Sequence, residues 1–503
     1  MASFEERNIL VVVAVGRRTH ITPLLEVCRA LHELGHRVSF AGMEGQLNNL
    51  PGFVAETFTV CDPMDPTKDA AIHQRIGEAV ASTRQGRKDL ASALMFFDSF
   101  YPDMHQRLKP IVARDDKKPA FDFILADFFD IAAVDLALEF DIPYATCTPQ
   151  LSFPQGQASF IPGLAGLQQN ILTTEHATLG QRVYESWVAF AFVIDMLPWI
   201  RSRIAMRKRL NEAGPLDRAH LHFTNSFWGF DTPRAHSPLL CQIGPLVSQT
   251  WDPLTPELSE FLEKRSSVAY VSFGTLATLP PSRATKLWLT LKALLKEGHL
   301  DGVIWSLKRI PAPEKGEEQI KSNGNILILP WVPQRAVLAH PAIRLFLTHA
   351  GTGSTNEALY HGNAMLCMPI HGDQNACALR TEANGIGLRI DKHTFTVGEA
   401  VHKAKILLQD VDGAVNADVL RMQRIAVTRA TSGPREAASK IQEVMYDHEL
   451  RRSHPKGKHW RPPHLELPSE RMGFWKRNNI DLYTIGPFIA VLQGLASLFH
   501  IRY

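Results

Sequence analysis

Short, continuous apolar runs alternate along this chain with stretches in which apolar residues recur every third or fourth position. Asn8 to Val15 is a Val-rich run bounded by Gly16, the pattern of a strand buried on both faces of a parallel sheet. The spacing that follows predicts a helix capped by Thr22, with Pro23 in its first position, Leu24, Leu25, Cys28, Leu31 and Leu34 on one face, and Gly35 as its stop. Arg37 to Ala41 then reads as a second strand and completes a βαβ unit. The same alternation returns at Phe121 to Ala126, the helical stretch Asp130 to Phe140, and Pro143 to Cys147. Beyond position 265 it returns again, with strands expected at Val268 to Phe273, Val303 to Leu307, Ile326 to Leu329, Leu345 to Thr348 and Met365 to Met368. Two α/β halves are predicted, residues 1–240 and 266–440. A linker at 241–265 joins them, within or beside the Pro-rich, aperiodic stretch Asp231 to Pro256. Residues 441–481 form an extension and 482–499 a hydrophobic tail.

Two stretches depart from this pattern. Val183 to Ile200 is strongly apolar and runs into Arg201, Arg203, Arg207, Lys208 and Arg209. A buried helix ending in a solvated basic turn is the preferred reading, because cations are favoured at helix C-termini. A helix lying on an anionic membrane surface is the alternative. The tail, Leu482 to Phe499 after Lys476 and Arg477, is a marginal length for a bilayer and contains Gly486, Pro487 and Gln493. It reads equally as a membrane anchor or as a helix packed on the protein, and an inserted tail leaves the rest facing the cytosol.

Composition narrows the function classes. With 54 Lys+Arg against 51 Asp+Glu the chain is close to neutral, so it lacks the massed basic charge of a nucleic-acid binder. Its six cysteines are far apart with no C-x-x-C pair, which argues against a disulfide framework or a zinc site. The acidic N-terminal flank argues against a signal peptide and makes the reduced cytosol the expected compartment.

The densest chemistry lies between Trp331 and Gln374. Its middle is a strand followed by His349-Ala-Gly351-Thr-Gly-Ser354 and a helix expected near Thr355. Glycines allow close backbone approach and the open N–H groups of a helix start bind anions, so a phosphate fits there. The third glycine of a dinucleotide fingerprint is replaced by Asn356 and no Walker A lysine is present, which weakens dehydrogenase and P-loop readings. Ser354 and Glu357 also have the spacing of a helix capping box, which alone would explain both.

The whole stretch resembles the donor-binding signature of the UDP-dependent glycosyltransferases, the group that includes plant natural-product glucosyltransferases and animal glucuronosyltransferases. Trp331, Pro333-Gln334, Thr348-His349-x-Gly351, Ser354, Glu357, Gly362 and Asp373-Gln374 carry the resemblance without a gap. It implies an α/β fold of two Rossmann-like domains facing across a cleft (GT-B), the first for the acceptor and the second for the UDP-sugar. By the same resemblance Trp331 stacks on uracil, Gln334 helps hold the nucleoside, and His349 and Ser354 meet the pyrophosphate. Glu357 meets the ribose, Asp373 and Gln374 the sugar hydroxyls, and Thr275 in the VSFGT turn lies on the phosphate side. Thr352-Gly353 replaces the Trp-Asn usual in plant enzymes, and Gly362-Asn363-Ala364 replaces Gly-x-Pro.

His20 by itself reads as a loop residue beside a helix start, where the dipole disfavours imidazolium. The family places its general base in this strand, loop, His-x-x-Pro, helix context. Asp127 ends the strand FDFILAD, where a carboxylate can hold one nitrogen of an imidazole. A surface Asp is the simpler reading, with Asp130 and Asp135 as competitors. The resemblance favours Asp127 because an aromatic pair, Phe128-Phe129, follows it. The implied activity is inverting transfer of a sugar, glucose before glucuronate, from UDP to a hydroxyl of a small lipophilic molecule. The UDP-sugar is a co-substrate, and neither a metal nor another cofactor is called for. Phe96, Phe97, Phe100, Phe153, Trp187 and Phe190 are candidates for the acceptor pocket. A non-catalytic UDP-sugar-binding partner and a UDP-sugar epimerase or hydrolase of the same fold are the alternatives.

Overall fold

The computed structural model describes residues 5–15, 18–78, 83–115, 118–148, 158–163, 166–210, 221–274, 279–308, 320–453, 464–465, 467–483, 485–486 and 491. In the first lobe a seven-stranded parallel sheet has the order β3-β2-β1-β6-β7-β8-β9. Its strands are β1 (Asn8–Val13), β2 (Arg37–Met43), β3 (Val54–Cys61), β6 (Phe123–Asp127), β7 (Tyr144–Thr148), β8 (Leu221–Thr224) and β9 (Leu240–Gln242). A small hairpin, β4 (Ala113–Asp115) and β5 (Lys118–Pro119), lies outside it. The helices of this part are α1 (Arg18–Glu33), α2 (Pro66–Glu78), α3 (Arg84–Asp98), α4 (Tyr101–Val112), α5 (Ile131–Glu139) and α6 (Leu179–Arg209).

The second lobe holds a six-stranded parallel sheet, β12-β11-β10-β13-β14-β15. It is built from β10 (Val268–Ser272), β11 (Gly302–Ser306), β12 (Ile326–Leu329), β13 (Ile343–Thr348), β14 (Met365–Cys367) and β15 (Gly387–Arg389). Its helices are α7 (Pro256–Glu263), α8 (Pro281–Lys296), α9 (Gln334–Leu338), α10 (Thr352–His361), α11 (Gln374–Ala383), α12 (Val397–Gln409) and α13 (Ala414–Ser453). The central strands are apolar on both faces because helices cover both sides. Val11 lies between Phe40 of β2 and Leu125 of β6, and Tyr270 of β10 lies beside Phe346 of β13.

The strand order reverses between β1 and β6 in the first sheet and between β10 and β13 in the second. In open α/β sheets the loops leaving such a pair of strands diverge and open a crevice at their carboxyl ends. His20 follows β1 and Asp127 ends β6; Gly274 follows β10 and His349 follows β13. The sequence therefore places its candidate chemistry at both crevices.

The structure changes several expectations. The expected linker 241–265 includes the end of β9 and all of α7, whose Leu258 and Leu262 lie in the second lobe's core. Phe227 and Phe230, before that linker, are buried in the same core. The chain also recrosses at α13: Met422 and Ala426 pack in the second lobe, Ala437, Ala438, Ile441, Val444 and Met445 in the first. At the crossing only glycine fits, since a Cβ on Gly433 would lie 1.9 Å from the Ile243 carbonyl oxygen. Helix α1 starts at Arg18, four residues before the expected cap, and carries Pro23 inside it. The ring's fixed φ suits a helix, and close to its start the missing N–H removes a single bond.

Helix α6 overturns the reading of a buried apolar helix. Its buried residues include Glu185, Asp195 and Arg207, whereas Trp187, Phe190 and Val193 are exposed by 63, 56 and 51%. Ionic contacts attach it: Arg87 to Asp195 at 2.8 Å, Arg203 to Asp98 at 2.6 Å, and Arg207 to Asp135. By length and composition α6 could cross a bilayer. Most of the tail 482–499 lies outside the described residues.

Candidate functional site

On the first lobe, α1 carries His20 in its opening turn and β6 delivers Asp127, fully buried, beneath it. His20 Nδ1 lies 2.8 Å from Asp127 Oδ2, and Asp127 Oδ1 accepts from the Phe129 N–H at 3.0 Å. A carboxylate only accepts, so Nδ1 carries a proton, and in the neutral ring Nε2 is the basic nitrogen. The surface reading of Asp127 is excluded by its burial. Asp130, its competitor, faces elsewhere and accepts from the Ala14 and Val15 N–H groups at 2.8 and 3.3 Å. Burial, and secondarily the nearby Asp127, raises the Asp130 carboxyl well above the usual carboxylate range.

The His20 ring stacks on Phe128 and Phe129, with centroids 6.0 and 5.6 Å away. Phe97 adjoins Phe129, and Phe96 adjoins Phe97 and Phe100, so an aromatic wall extends from the histidine. Trp187 and Phe190 stand apart from it on the outer face of α6, and Phe153 is outside the described residues.

On the second lobe, the turn after β13 brings His349 between two glycines. A Cβ on Gly351 would lie 2.5 Å from His349 Nε2, and one on Gly274, at φ +73°, would lie 3.0 Å from the ring. Burial lowers the imidazole to about 4, so at neutral pH it presents an uncharged N–H donor. Ala350 adopts φ +58°, a left-handed backbone that non-glycine residues rarely take and that is held by the surrounding turn. Helix α10 then begins at Thr352, not near Thr355, with Gly351 as an N-cap that makes no side-chain cap bond. Ser354 and Glu357 are therefore inside the helix, and the capping-box explanation for the pair fails.

Ser354 and Glu357 instead meet Gln334, whose Nε2 donates to Glu357 Oε2 at 2.7 Å and to Ser354 Oγ at 3.1 Å. The Tyr270 hydroxyl donates to Gln334 Oε1 at 3.3 Å and fixes which end of the carboxamide faces Glu357. Burial raises the Glu357 carboxyl. Tyr270 carries no sequence signal of a site, since it reads as one more buried strand aromatic. Trp331, 56% exposed in the loop before α9, is not a core residue. Thr275 lies outside the described residues.

Asp373 and Gln374 open α11. Gln374 Oε1 accepts from the Ile370 and His371 N–H groups at 2.8 and 3.0 Å, which shapes its own loop and turns the amide oxygen inward. Asp373 is buried, its carboxyl is raised by that burial, and His20 is close enough to act on it electrostatically. The lobes meet here, with Thr19 Cγ2 3.7 Å from where a Cβ on Gly353 would stand. Asn356 Nδ2 also donates across to Asn225 Oδ1 at 3.1 Å.

Residues 111–434 match the family model described as UDP-glucoronosyl and UDP-glucosyl transferase, well over half of the chain. The chain belongs to the UDP-glycosyltransferase family. Among curated relatives, this UDP-glycosyltransferase is 37% identical to UDP-glycosyltransferase stmC of Aspergillus ustus, over 97% of this chain and 96% of that one. It is 38% identical to a UDP-glycosyltransferase of Talaromyces amestolkiae, over 95% and 94% of the two chains. The solved glycotransferase of kitacinnamycin superposes with a TM-score of 0.65 at 20% identity, covering 88% of this chain and 99% of that one, and shares the GT-B fold. The enzyme thus transfers a glycosyl group from a UDP-sugar to an acceptor.

Proposed function

We propose that this UDP-glycosyltransferase transfers glucose, with inversion, to a hydroxyl of a small lipophilic acceptor. The observation that carries the reading is the His20–Asp127 pair on one lobe beside the meeting of the lobes, where Thr19 comes within 3.7 Å of a Cβ built on Gly353 of the other. With the acceptor against the phenylalanine wall, His20 Nε2 takes its hydroxyl proton while the oxygen forms a bond to the sugar C1. The C1–O bond to the diphosphate breaks on the opposite face, and UDP leaves with that electron pair. A single displacement inverts the anomeric centre. Asp127 keeps the imidazole tautomer and balances the charge it gains. The His349 N–H and the uncapped start of α10 meet the growing negative charge on the diphosphate. Trp331 stacks on the base, Gln334 and Ser354 line the nucleoside-to-phosphate passage, and Glu357 accepts from the ribose hydroxyls.

Glucose is favoured over glucuronate by charge. The sugar end presents the acidic Asp373, and the nearby Arg380 is committed to Asp231 at 2.8 Å, which leaves that guanidinium unavailable to a sugar carboxylate. Phe97, Phe128 and Phe129 favour an apolar, aromatic or terpenoid acceptor. The test is His20→Ala, assayed for transfer to a panel of phenols and terpenoids and, separately, for UDP binding. Loss of transfer with UDP binding retained is expected, and unchanged turnover overturns the assignment.

A further inference from the structure

Asp373 occupies the N-cap of α11, where an aspartate ordinarily turns its carboxylate back onto the helix's own N–H groups. Here it makes no such bond. Its Oδ2 instead accepts from the Thr352 hydroxyl of α10 at 2.5 Å, with both residues buried and Cys377 Sγ 3.5 Å from the same hydroxyl. The first turns of two neighbouring helices are thus clasped through one side-chain bond. That bond lies beside the meeting of the lobes, where Thr19, the neighbour of His20, comes within 3.7 Å of a Cβ built on Gly353, the neighbour of Thr352.

The consequence concerns how the carboxylate meets a sugar. A carboxylate with both oxygens free takes two adjacent hydroxyls at once and can swivel to follow either epimer. With Oδ2 held by Thr352, the plane of the group is fixed and Oδ1 is the oxygen not committed to the clasp. It can then accept from one hydroxyl in one direction. We propose that Thr352 is a positioning residue for donor choice: by holding Asp373, it makes the enzyme distinguish a UDP-hexose from its hydroxyl epimer. The inference rests on the reading above that Asp373 faces the transferred sugar.

Thr352→Val removes the hydroxyl and keeps the shape, while Thr352→Ser keeps the hydroxyl. The measurement is kcat and KM for UDP-glucose and for UDP-galactose with one acceptor, alongside UDP affinity by calorimetry, which also confirms that each variant is folded. The Val variant is expected to lose about tenfold or more of the kcat/KM ratio between the two donors, with UDP affinity unchanged, and the Ser variant to keep the ratio. An unchanged ratio in the Val variant overturns the proposal, as does a Ser variant that behaves like Val. Should Thr352→Val fail to bind UDP, Thr352→Ala is held to the same criterion. Asp373→Ala separates the two levels. If it alters donor choice and Thr352→Val does not, only the role of Thr352 is lost; if it also leaves donor choice intact, the placement of Asp373 at the sugar is lost with it.

Discussion

Replacing Gly351 by Ala adds one methyl group where the backbone, at φ −64° and ψ 143°, suits any residue, so its effect is steric and not conformational. The new carbon would stand 2.5 Å from His349 Nε2, against 3.4 Å for the start of ordinary contact. The imidazole therefore has to retreat by about 0.9 Å, and the Gly274 backbone closes in on the same ring. Turning a side chain off its rotamer and overpacking a tight turn together cost about 1–3 kcal/mol, the stability loss expected in a denaturant melt. In the proposed mechanism a displacement of that size also takes the His349 N–H out of hydrogen-bond range of the diphosphate, for which a fall of about 10²-fold in kcat/KM is expected. The decisive assay is a double-mutant cycle. In a His349→Ala background the methyl has room, so Gly351→Ala should cost nothing further. Equal harm in both backgrounds would refute the argument, because the clash would then lie elsewhere.

Other perturbations test different parts of the site. Glu357→Gln exchanges a charged acceptor for a neutral one, and UDP affinity measured by calorimetry should fall by about 1–2 kcal/mol with the melting temperature little changed. Asp231 accepts from the buried Arg380 guanidinium at 2.8 Å and, more distantly, from Arg234, which also donates to the Thr232 carbonyl, so Asp231→Ala removes the carboxylate that pairs Arg380. A loss of about 3–5 kcal/mol in chemical denaturation is expected. His349 is held near 4 when folded and titrates near its ordinary value when unfolded, so between these values the unfolded chain binds more protons. Stability should fall as pH drops from about 6.5 to about 4, by up to ~3 kcal/mol, and His349→Gln should flatten that slope in a series of melts.

What could be read in advance follows from what each element does. The central strands β1, β6, β10 and β13 are buried on both faces, and continuous apolar runs announce them. Strand β3 is at the sheet edge, and half of its residues are exposed, so Val54 to Cys61 carries no such run. Helix α6 misleads because its attachment is ionic; a periodicity argument assumes that the apolar side faces inward. The His20–Asp127 pair spans 107 positions, a separation at which residue spacing is uninformative, and only family resemblance joined the two. Ser354 and Glu357 illustrate the reverse: spacing alone fits a cap, and three residues of helix boundary decide against it.

Asp127 and Asp130 leave the same turn, and spacing alone does not separate their tasks. The surroundings do. The Asp130 carboxyl is fully buried, accepts from the main chain of Ala14 and Val15 just past β1, and is pushed up first by desolvation and then by the charge of Asp127. A neutral carboxyl still accepts from an N–H, so anchoring the loop that precedes His20 requires no ionisation. Holding an imidazole that becomes cationic does require a negative partner, and in the proposed mechanism Asp127 supplies it. Two carboxylates this close oppose each other's ionisation, and it is the Asp130 carboxyl that desolvation and then the charge of Asp127 raise. The turn thus divides its work: Asp127 holds the His20 imidazole, and Asp130 holds the main chain that precedes it.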